Sequence, residues 1–180
     1  MKKNVLILGA SSDIGIELVK NFLNHEYKIT AHCNQNSKEL KKIKNSNNLK
    51  IVKKNFLNLN DKNIKKVFTK YFNEDYGCFV NLIGYTDQKS FLNTNIKSLI
   101  KTLSVNTIIP MFVLRHVLKK MKKNKYGRIL NCSSIGVKFG GGENSFNYAL
   151  SKHLLEFVPN NLRKLASSNI IINNIRIGVT

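Results

Sequence analysis

A regular alternation between short apolar segments and helical patterns most constrains how this chain can fold. Apolar runs of strand length occur at residues 4–8, 28–32, 50–52, 78–82, 128–132 and 170–175. Amphipathic patterns with helical spacing lie between them, at residues 13–24, 37–44, 61–72, 96–123 and 147–166. Such alternation predicts an α/β fold in one domain over residues 1–180, with a doubly wound parallel sheet between helices.

The first predicted strand runs directly into a loop that contains glycines. Its apolar residues 5–8 are followed by the segment GASSDIG at residues 9–15, where an amphipathic helical pattern begins. This order of strand, loop and helix is the context that a dinucleotide-binding fingerprint requires. The free backbone N–H groups at the start of the helix are then expected to hold a pyrophosphate. The predicted fold class is therefore a Rossmann-like, three-layer α/β/α domain.

A tyrosine and a lysine stand four residues apart, at Tyr148 and Lys152, and Ser134 lies 14 residues before the tyrosine. Positions i and i+4 of a helix share a face, so the ammonium group is expected beside the phenol. A neighbouring positive charge favours the phenolate and should lower the pKa of Tyr148 from its usual value of about 10. Such a phenol can exchange a proton with a substrate oxygen, which is general acid–base catalysis.

Together these motifs resemble the short-chain dehydrogenase/reductase family over the whole chain. Gly9 and Gly15 match the first and last glycines of the family's Thr-Gly-x-x-x-Gly-x-Gly loop. The segment NLIG at residues 81–84 matches the family's Asn-Asn-Ala-Gly sequence at its first and last positions. The family's tetrad of Asn, Ser, Tyr and Lys falls on Asn106, Ser134, Tyr148 and Lys152.

The resemblance implies an oxidoreductase that uses NAD(P)(H) to interconvert a secondary alcohol and a ketone. Tyr148 is the implied general acid/base, and Ser134 is implied to bind the carbonyl oxygen. Lys152 is implied to hold the nicotinamide ribose and lower the tyrosine pKa, and Asn106 to anchor a water molecule. The implied cofactor-binding residues are Gly9, Ser11, Ser12, Ile14, Gly15, Asn34, Asn55, Phe56, Asn81, Gly84, Tyr148 and Lys152.

Two substrate classes remain open under this resemblance. One is 3-oxoacyl thioesters on an acyl carrier protein, as in bacterial 3-oxoacyl-carrier-protein reductases. The other is nucleotide-linked sugars of bacterial surface glycans, such as those of flagellin or capsule. A catalytically idle Rossmann-fold binding or scaffolding protein is the alternative function. Such a protein is expected to lose a member of the tetrad, and none is lost here.

The resemblance also implies a homodimer or homotetramer, because relatives pack the helices matching residues 96–123 and 147–166 against their copies. Both segments carry more apolar positions than one core-facing stripe needs. The residues that recur at helical spacing are Phe112, Val113, His116, Val117, Leu150, Leu154, Leu155 and Val158.

Four positions depart from the family pattern: Leu8, Asp13, Leu82 and Ile177. Asp13 stands where the family has its second loop glycine, and its carboxylate is expected to cap the helix. Pro110 cannot donate an N–H group to the carbonyl of Asn106. Either this proline only kinks the helix for packing, or it frees that carbonyl to hold the water of a proton relay behind Lys152.

The choice between NADP(H) and NAD(H) is expected to depend on the end of the second strand, where an acidic residue would bind the ribose hydroxyls of NAD. The segment HCNQN at residues 32–36 contains no carboxylate. Lys38, Lys41 and Lys42 follow it and should attract the 2′-phosphate, so NADP(H) is favoured over NAD(H). The side-chain oxygen of Asn55 is expected to accept a hydrogen bond from the adenine amine.

The formal net charge of +20 comes from 30 Lys and Arg against 10 Asp and Glu. Two explanations remain open: lysines spread over solvated surfaces, or attraction of an acidic partner. A nucleic-acid partner is not expected, because the basic residues are neither interleaved with exposed aromatic residues nor gathered on a recognition helix.

The cysteines and histidines show no metal-ligand spacing, so no metal is expected. They are Cys33, Cys78, Cys132, His25, His32, His116 and His153. The cysteines lie in apolar strand segments, which is typical of free thiols in a reducing compartment. The first apolar run is too short for a signal peptide or a membrane span, and we expect a cytoplasmic location without membrane partners.

Family members continue past the position of Thr180 with a substrate loop, a last helix and a last strand. We therefore expect this C-terminal part to be absent from the 180-residue chain. Its absence should reduce enzymatic turnover, because the pocket would lack its cover.

Overall fold

Six parallel strands form one open sheet in the computed structural model, which describes residues 3–43, 47–59 and 62–178. The strands are β1 (Asn4–Leu8), β2 (Lys28–Cys33), β3 (Leu49–Lys53), β4 (Cys78–Asn81), β5 (Gly127–Ser134) and β6 (Ile170–Ile177). Their order in the sheet is β3-β2-β1-β4-β5-β6. The predicted Rossmann-like doubly wound fold in a single domain is therefore confirmed.

Helices connect the strands and cover both faces of the sheet. They are α1 (Asp13–Asn24), α2 (Lys38–Lys42), α3 (Ile64–Tyr71), α4 (Ile96–Leu103), α5 (Ile109–Asn124), α6 (Gly136–Phe139), α7 (Phe146–Leu155) and α8 (Asn160–Arg163). Short 3-10 turns lie at Phe56–Asn58 and Lys164–Ser168. The helices predicted at residues 37–44 and 61–72 were too long at both ends, and residues 44 and 61 lie outside the described part of the chain.

Alternating side chains of the strands build a separate core on each face of the sheet. In β1, Val5 and Ile7 pack on the side covered by α1 and α2, whereas Leu6 and Leu8 pack on the side covered by α3 and α5. All four side chains are fully buried. Burial contributes about 1.5–3 kcal/mol for a side chain of this size, so β1 anchors both cores and the loop that follows it.

The direction of winding reverses at β1. From β1 the chain builds outward through β2 and β3, then crosses back to β4 on the other side. β1 and β4 are direct neighbours, with Leu8 opposite Asn81. In open α/β sheets, ligands bind in the crevice at the carboxyl ends of the strands beside such a switch point. This edge carries the predicted motifs.

The long helix predicted at residues 96–123 is present, but one wider turn interrupts it. A π-helical turn at Ser104–Ile108 joins α4 to α5, and its closing bond runs from the N–H of Ile109 to the carbonyl of Ser104. Pro110 lies in the first turn of α5 and lacks an N–H group, so a regular bond to the carbonyl of Asn106 cannot form. Such π-helical turns often occur at functional sites.

By length and composition alone, the stretch Ile96–Asn124 could cross a membrane. Some of its apolar residues pack into the core of the domain, where Val113 and Val117 are buried, whereas Ile96, Ile100 and Ile108 are exposed. Of the apolar residues that recur at helical spacing, these two valines and Leu155 are therefore buried within a single chain, and the expected contact between subunits through these helices stays a prediction. Phe112 and Leu154 remain exposed.

The single helix predicted at residues 147–166 is wrong. α7 ends at Leu155, Pro159 has an extended backbone with ψ of 149°, and α8 begins only at Asn160. A proline provides no N–H group for a helix, and it forces the residue before it away from the helical conformation. The apolar periodicity of this segment therefore continues across a break in the backbone.

Candidate active site

Two positions around the tight turn from β1 into α1 require glycine, one in the loop and one in the first turn of the helix. Gly9 has φ of +75°, and a Cβ atom there would lie 3.0 Å from backbone atoms of Leu82 and Ile83. A Cβ atom at Gly15 would lie 2.7 Å from the backbone of Ala10. The first glycine lets the loop pass close to the segment after β4, and the second lets α1 pack against its own loop.

Ser12, and not Asp13, caps α1. The Ser12 hydroxyl accepts a hydrogen bond from the N–H of Gly15 at 3.1 Å and donates one to the carbonyl of Gly9 at 3.1 Å. Asp13 is the first residue of the helix itself, so the expectation that its carboxylate is the cap is wrong. The other N–H groups of the first turn remain able to bind an anion.

A cleft of about 480 Å³ extends from the end of β2, past the glycine loop, to the residues after β4. A second cavity of about 210 Å³ shares Ser12, Leu82 and Gly84 with it. Ten of the predicted cofactor-binding residues line these two cavities: Gly9, Ser11, Ser12, Ile14, Asn34, Asn55, Phe56, Gly84, Tyr148 and Lys152.

Gly15 and Asn81, the other two predicted cofactor-binding residues, line neither cavity. Asn81 is fully buried, and its side-chain oxygen accepts a hydrogen bond from the N–H of Ile83 at 3.2 Å. Both residues therefore support the walls of the cleft instead of facing it.

A buried histidine joins the glycine loop to the end of β3. His32 is 3% exposed, and its ring stacks on Phe56 with the centroids 4.2 Å apart. Its Nε2 atom lies 2.8 Å from the carbonyl oxygen of Lys54, and its Nδ1 atom lies 3.5 Å from the nitrogen of Gly9. Burial lowers the pKa of His32 to about 4, so its ring is neutral at pH 7. The Nε2–H tautomer satisfies both contacts.

Lys54 lines the cleft beside the ends of β2 and β3, and it is not one of the lysines predicted to bind there. Lys38, Lys41 and Lys42 do not line the cleft, and Lys42 pairs with Glu39 at 2.7 Å. Lys54 does line it and is half-buried. The described residues that line the cleft include no Asp or Glu. The end of β2 therefore lacks a carboxylate, and Lys54, directly after the neighbouring strand β3, adds a positive charge to the cleft.

Tyr148 and Ser134 meet in the smaller cavity, at the carboxyl end of β5. The Ser134 oxygen accepts a hydrogen bond from the N–H of Gly136 at 3.2 Å. Burial raises the pKa of Tyr148, and the neighbouring Ser134 hydroxyl lowers it by less. The prediction that the pKa of Tyr148 lies below its ordinary value is therefore wrong for the protein by itself.

Lys152 explains this difference, because its ammonium group bonds to backbone instead of to the phenol. It is 2% exposed and donates to the carbonyls of Ile83 at 2.7 Å and Cys132 at 2.8 Å. Its Nζ atom lies 5.7 Å from the centroid of the Tyr148 ring. Burial lowers the pKa of Lys152 to about 8. The side chain thus links the ends of β4 and β5 beside the tyrosine.

Asn106 holds the segment after β4 against α7. Its side-chain oxygen accepts from the N–H of Tyr85 at 2.8 Å, and its amide donates to the carbonyl of Tyr85 at 2.8 Å and to the hydroxyl of Ser151 at 2.9 Å. The residue is fully buried. Its side chain therefore positions Tyr85 and Ser151, and the predicted water anchor would have to use its backbone carbonyl. That role stays a prediction.

The three cysteines have free thiols, with Cys33 and Cys132 buried and Cys78 partly buried. Within the described residues, no three His, Cys, Asp or Glu side chains are grouped in a way that could hold a metal ion.

The joined cavities have the features that an extended dinucleotide needs. Backbone approaches closely at Gly9, a capped helix begins at Ser12, and polar side chains continue as far as Tyr148. A family model described as short chain dehydrogenase matches residues 3–180 of this sequence. The chain belongs to the short-chain dehydrogenase family.

Similar proteins include members of this family from several bacteria. A 3-oxoacyl-acyl-carrier-protein reductase (FabG) of Aquifex aeolicus is 32% identical over 67% of this chain and 49% of its own length. A probable short-chain dehydrogenase/reductase (VdlC) of Helicobacter pylori is 30% identical over 88% of this chain and 57% of its own length. The chain therefore spans about half the length of these two relatives.

Two solved structures at or above 25% identity have the same fold. A short-chain dehydrogenase from Leptospira borgpetersenii with bound NAD+ is 26% identical and has a TM-score of 0.80, over 99% of this chain and 71% of that one. The structure of ElxO with NADP bound is 25% identical and has a TM-score of 0.77, over 99% of this chain and 74% of that one.

In this short-chain dehydrogenase, several residues that line the larger cleft were not predicted from the sequence. They include His32, Gln35, Lys54, Tyr85 and Lys101. The first four lie beside predicted residues, so a wider window around each strand end would have found them. Lys101 lies on α4, five residues before Asn106, and no local signal identifies it as a lining residue.

Proposed function

We propose that this chain carries the NAD(P)(H)-binding and catalytic residues of an oxidoreductase that interconverts a secondary alcohol and a ketone. The observation that carries the proposal is the meeting of Ser134, Tyr148 and Lys152 in a cavity that shares lining residues with the glycine-loop cleft. NAD+ in the Leptospira structure and NADP in ElxO support the choice of cofactor.

Specific residues of the chain would hold the parts of the cofactor. The first turn of α1, capped by Ser12, would bind the pyrophosphate. The Asn55 oxygen already accepts from the N–H of Leu57 at 2.8 Å, and its second lone pair would accept from the adenine amine. Lys152 would bind the nicotinamide ribose. When bound, the nicotinamide supplies or takes up the hydride.

The chain's own residues would handle the proton. Because the Ser134 oxygen accepts from the N–H of Gly136, its proton is available to a substrate oxygen. With a ketone as substrate, Tyr148 would give its proton to the oxygen that becomes the alcohol. Lys152 uses two of its three N–H donors on carbonyls, which leaves one N–H for the ribose. Its positive charge would stabilise the phenolate that remains.

The test is a comparison of Tyr148→Phe with Tyr126→Phe, a tyrosine at the opposite end of β5. We expect Tyr148→Phe to lower kcat by about 10²–10⁴ and to leave nucleotide binding intact, because only the proton donor is removed. Absorbance of the reduced nicotinamide measures turnover across a panel of ketones and alcohols. Nearly full turnover by Tyr148→Phe would contradict the proposal.

For the substrate, we propose a 3-oxoacyl thioester on an acyl carrier protein, with a nucleotide-linked sugar as the second candidate. The 3-oxoacyl-acyl-carrier-protein reductases among the relatives support the first class. The net charge of +20 favours association with either acidic molecule. Parallel assays with both substrate classes decide between them.

We further propose that NADP(H) binds more tightly than NAD(H). The cleft has Lys54 at its nucleotide end, and no carboxylate among its described lining residues competes for the ribose hydroxyls. Titration of the protein with NADPH and NADH, followed by nicotinamide fluorescence, tests the order. Equal or reversed dissociation constants would contradict it.

A homodimer or homotetramer is also proposed. Exposed apolar residues recur at intervals of four or eight along α4, the π-helical turn and α5, at Ile96, Ile100, Ile108 and Phe112. Such a stripe on a soluble domain is typical of a contact surface. Light scattering should give a mass at least twice that of the 20.5 kDa chain. A monomer at micromolar concentration would contradict the proposal.

The cytoplasm is the proposed location. The three free thiols at Cys33, Cys78 and Cys132 are typical of a reducing compartment. Fractionation of cells that express the protein tests this proposal, and recovery with the membrane fraction would contradict it.

A further inference from the structure

One carboxylate connects three segments beside the candidate active site. Asp87 lies in the segment between β4 and α4, and its Oδ2 atom accepts a hydrogen bond from the Asn147 amide at 2.6 Å. The same oxygen accepts a hydrogen bond from the hydroxyl of Ser98 in α4. Asn147 in turn accepts one from the Thr94 hydroxyl at 2.9 Å. The four residues thus join the segment after β4, the start of α4 and the start of α7.

The start of α7 depends on this network because its own cap is weak. Ser145, the N-cap residue, makes no side-chain bond to the helix, since its hydroxyl bonds to the N–H and carbonyl of Gly142 at 2.7 and 3.0 Å. One turn later, Ser151 is held by Asn106 and Lys152 by two strand-end carbonyls. In the first turn, Asn147 is fully buried and is held by Asp87 and Thr94.

The next residue along the chain is Tyr148, so the position of Asn147 sets the position of the phenol. Burial raises the pKa of Asp87, but the hydrogen bonds from Ser98 and Asn147 outweigh it and keep the pKa below its ordinary value. Asp87 is therefore ionised at pH 7, and its bonds to Asn147 and Ser98 are charge-assisted. Such bonds are shorter and stronger than neutral ones, which suits them to fix a helix terminus.

We propose that Asp87 is a positioning residue that acts through Asn147 to hold the Tyr148 phenol in its reactive orientation. The inference rests on the proposed role of Tyr148 as proton donor. Asp87 lies outside the tetrad and lines neither of the two cavities.

The test uses single and reciprocal substitutions. In Asp87→Ala the Asn147 amide loses its acceptor, and we expect kcat to fall by roughly 10²-fold while the dissociation constant for NADPH stays the same, since a displacement of about 1 Å can have this effect. Asn147→Asp places two carboxylates against each other and should also lower kcat. Asp75→Ala, a carboxylate 41% exposed just before the amino end of β4, should behave like the wild type.

The double variant Asp87→Asn/Asn147→Asp separates positioning from simple stability. In it the new amide at position 87 can donate to the new carboxylate at position 147, and Ser98 and Thr94 keep their acceptors. We expect it to recover most of the kcat that each single variant loses. A folded double variant that binds NADPH but stays as slow as Asp87→Ala would overturn the proposal, as would an unchanged kcat in Asp87→Ala.

Different results would contradict the proposed function and the inference about Asp87. If Tyr148→Phe keeps its turnover, the proton-donor role is wrong whatever Asp87 does. If Tyr148→Phe is inactive but Asp87→Ala lowers NADPH binding and kcat in equal proportion, the role of Asp87 is structural support of the whole domain, and the positioning inference is overturned.

Discussion

The candidate site has a nucleotide end in the larger cleft and a tyrosine end in the smaller cavity. Each end buries a basic side chain, but one side chain is neutral and the other is positively charged. At the nucleotide end, burial lowers the pKa of His32 to about 4, so the ring is neutral at pH 7. At the tyrosine end, burial lowers the pKa of Lys152 to about 8, so the ammonium form still predominates at pH 7. One end is therefore shaped by packing and backbone contacts, and the other keeps a positive charge beside Tyr148, the proposed proton donor.

The surroundings of the two groups explain the difference. His32 stacks on Phe56, and one ring nitrogen lies 2.8 Å from a single carbonyl. Lys152 has two carbonyl acceptors within 2.8 Å at the ends of adjacent strands. Carbonyl dipoles that converge on an ammonium group compensate part of its lost hydration. The following predictions test whether charge matters only at the tyrosine end.

The largest expected effect is on turnover in Lys152→Met, which removes the charge but keeps an unbranched side chain. We expect kcat to fall by about 10²–10⁴, because the phenolate of Tyr148 loses its positive neighbour. Steady-state kinetics at saturating NADPH measure it. A loss of kcat of less than threefold would show that the charge at the tyrosine end matters no more than the neutral ring at the nucleotide end.

The same variant has a second signature in stability. The Lys152 pKa is about 8 in the folded protein against an ordinary value of 10.5, so the unfolded chain binds more protons between these pH values. Wild-type stability should therefore rise across that interval by about 3 kcal/mol relative to Lys152→Met. Urea unfolding of both proteins at pH 7.5 and 10 measures the difference, and parallel pH curves would contradict it.

At the nucleotide end the stability effect should appear in acid. The folded pKa of His32 is about 4 and its ordinary value is 6.5, so the unfolded chain binds more protons as the pH falls through this interval. Wild-type stability should fall by up to about 3 kcal/mol between pH 6.5 and 4. His32→Gln should lack this component, whereas His25→Gln, at an exposed position, should retain it. Urea unfolding across this range provides the measurement.

Much of this arrangement could be predicted from the sequence, because the strand alternation, the glycine loop and the tetrad are all patterns of local spacing. The direction of the Lys152 ammonium could not. Spacing of four residues places Lys152 and Tyr148 on one face, but the carbonyls that bind the ammonium belong to Ile83 and Cys132, 69 and 20 residues away. No local pattern shows which of several acceptors a buried cation will choose.

The break between α7 and α8 had a signal, because Pro159 ends the helix by a local rule, yet the apolar periodicity around it favoured one long helix. The contacts of Asp87 with Ser98 and Asn147 had no signal in the sequence, since these two residues lie 11 and 60 positions from Asp87 and no motif links them to it. The backbone-built part of the site was therefore more predictable than the part built from side chains of distant segments.

Gly9→Ala tests how far the nucleotide end depends on backbone shape. An L-residue at φ of +75° costs about 1–2 kcal/mol, and the new Cβ would also press on Leu82 and Ile83 at 3.0 Å. We expect about 2 kcal/mol of lost stability together with weaker NADPH binding. Gly142→Ala is the control, since its Cβ would meet only the Ser145 hydroxyl at 3.7 Å. Equal losses in both variants would show that close approach at the switch point is unimportant.

The smallest effect should come from Lys54, a lysine in the lining of the cleft directly after β3. Lys54 lines the cleft and is half-buried, whereas its neighbour Lys53 is exposed and lies outside the lining. Lys54→Gln should weaken binding of NADPH by about tenfold and leave NADH nearly unchanged, because only NADPH has a 2′-phosphate.

Lys53→Gln is a matched control for this change, since it removes the same charge one residue away and should preserve the ratio of the two dissociation constants. Fluorescence titration with NADPH and NADH gives that ratio for both variants at one ionic strength, because screening by salt weakens such contacts. If Lys41→Gln or Lys42→Gln shifts the ratio and Lys54→Gln does not, the 2′-phosphate is recognised from α2 and the lining lysine is incidental. If Lys54→Gln alone shifts it, charge contributes at both ends of the site, and at the nucleotide end it comes from Lys54, because burial keeps His32 neutral.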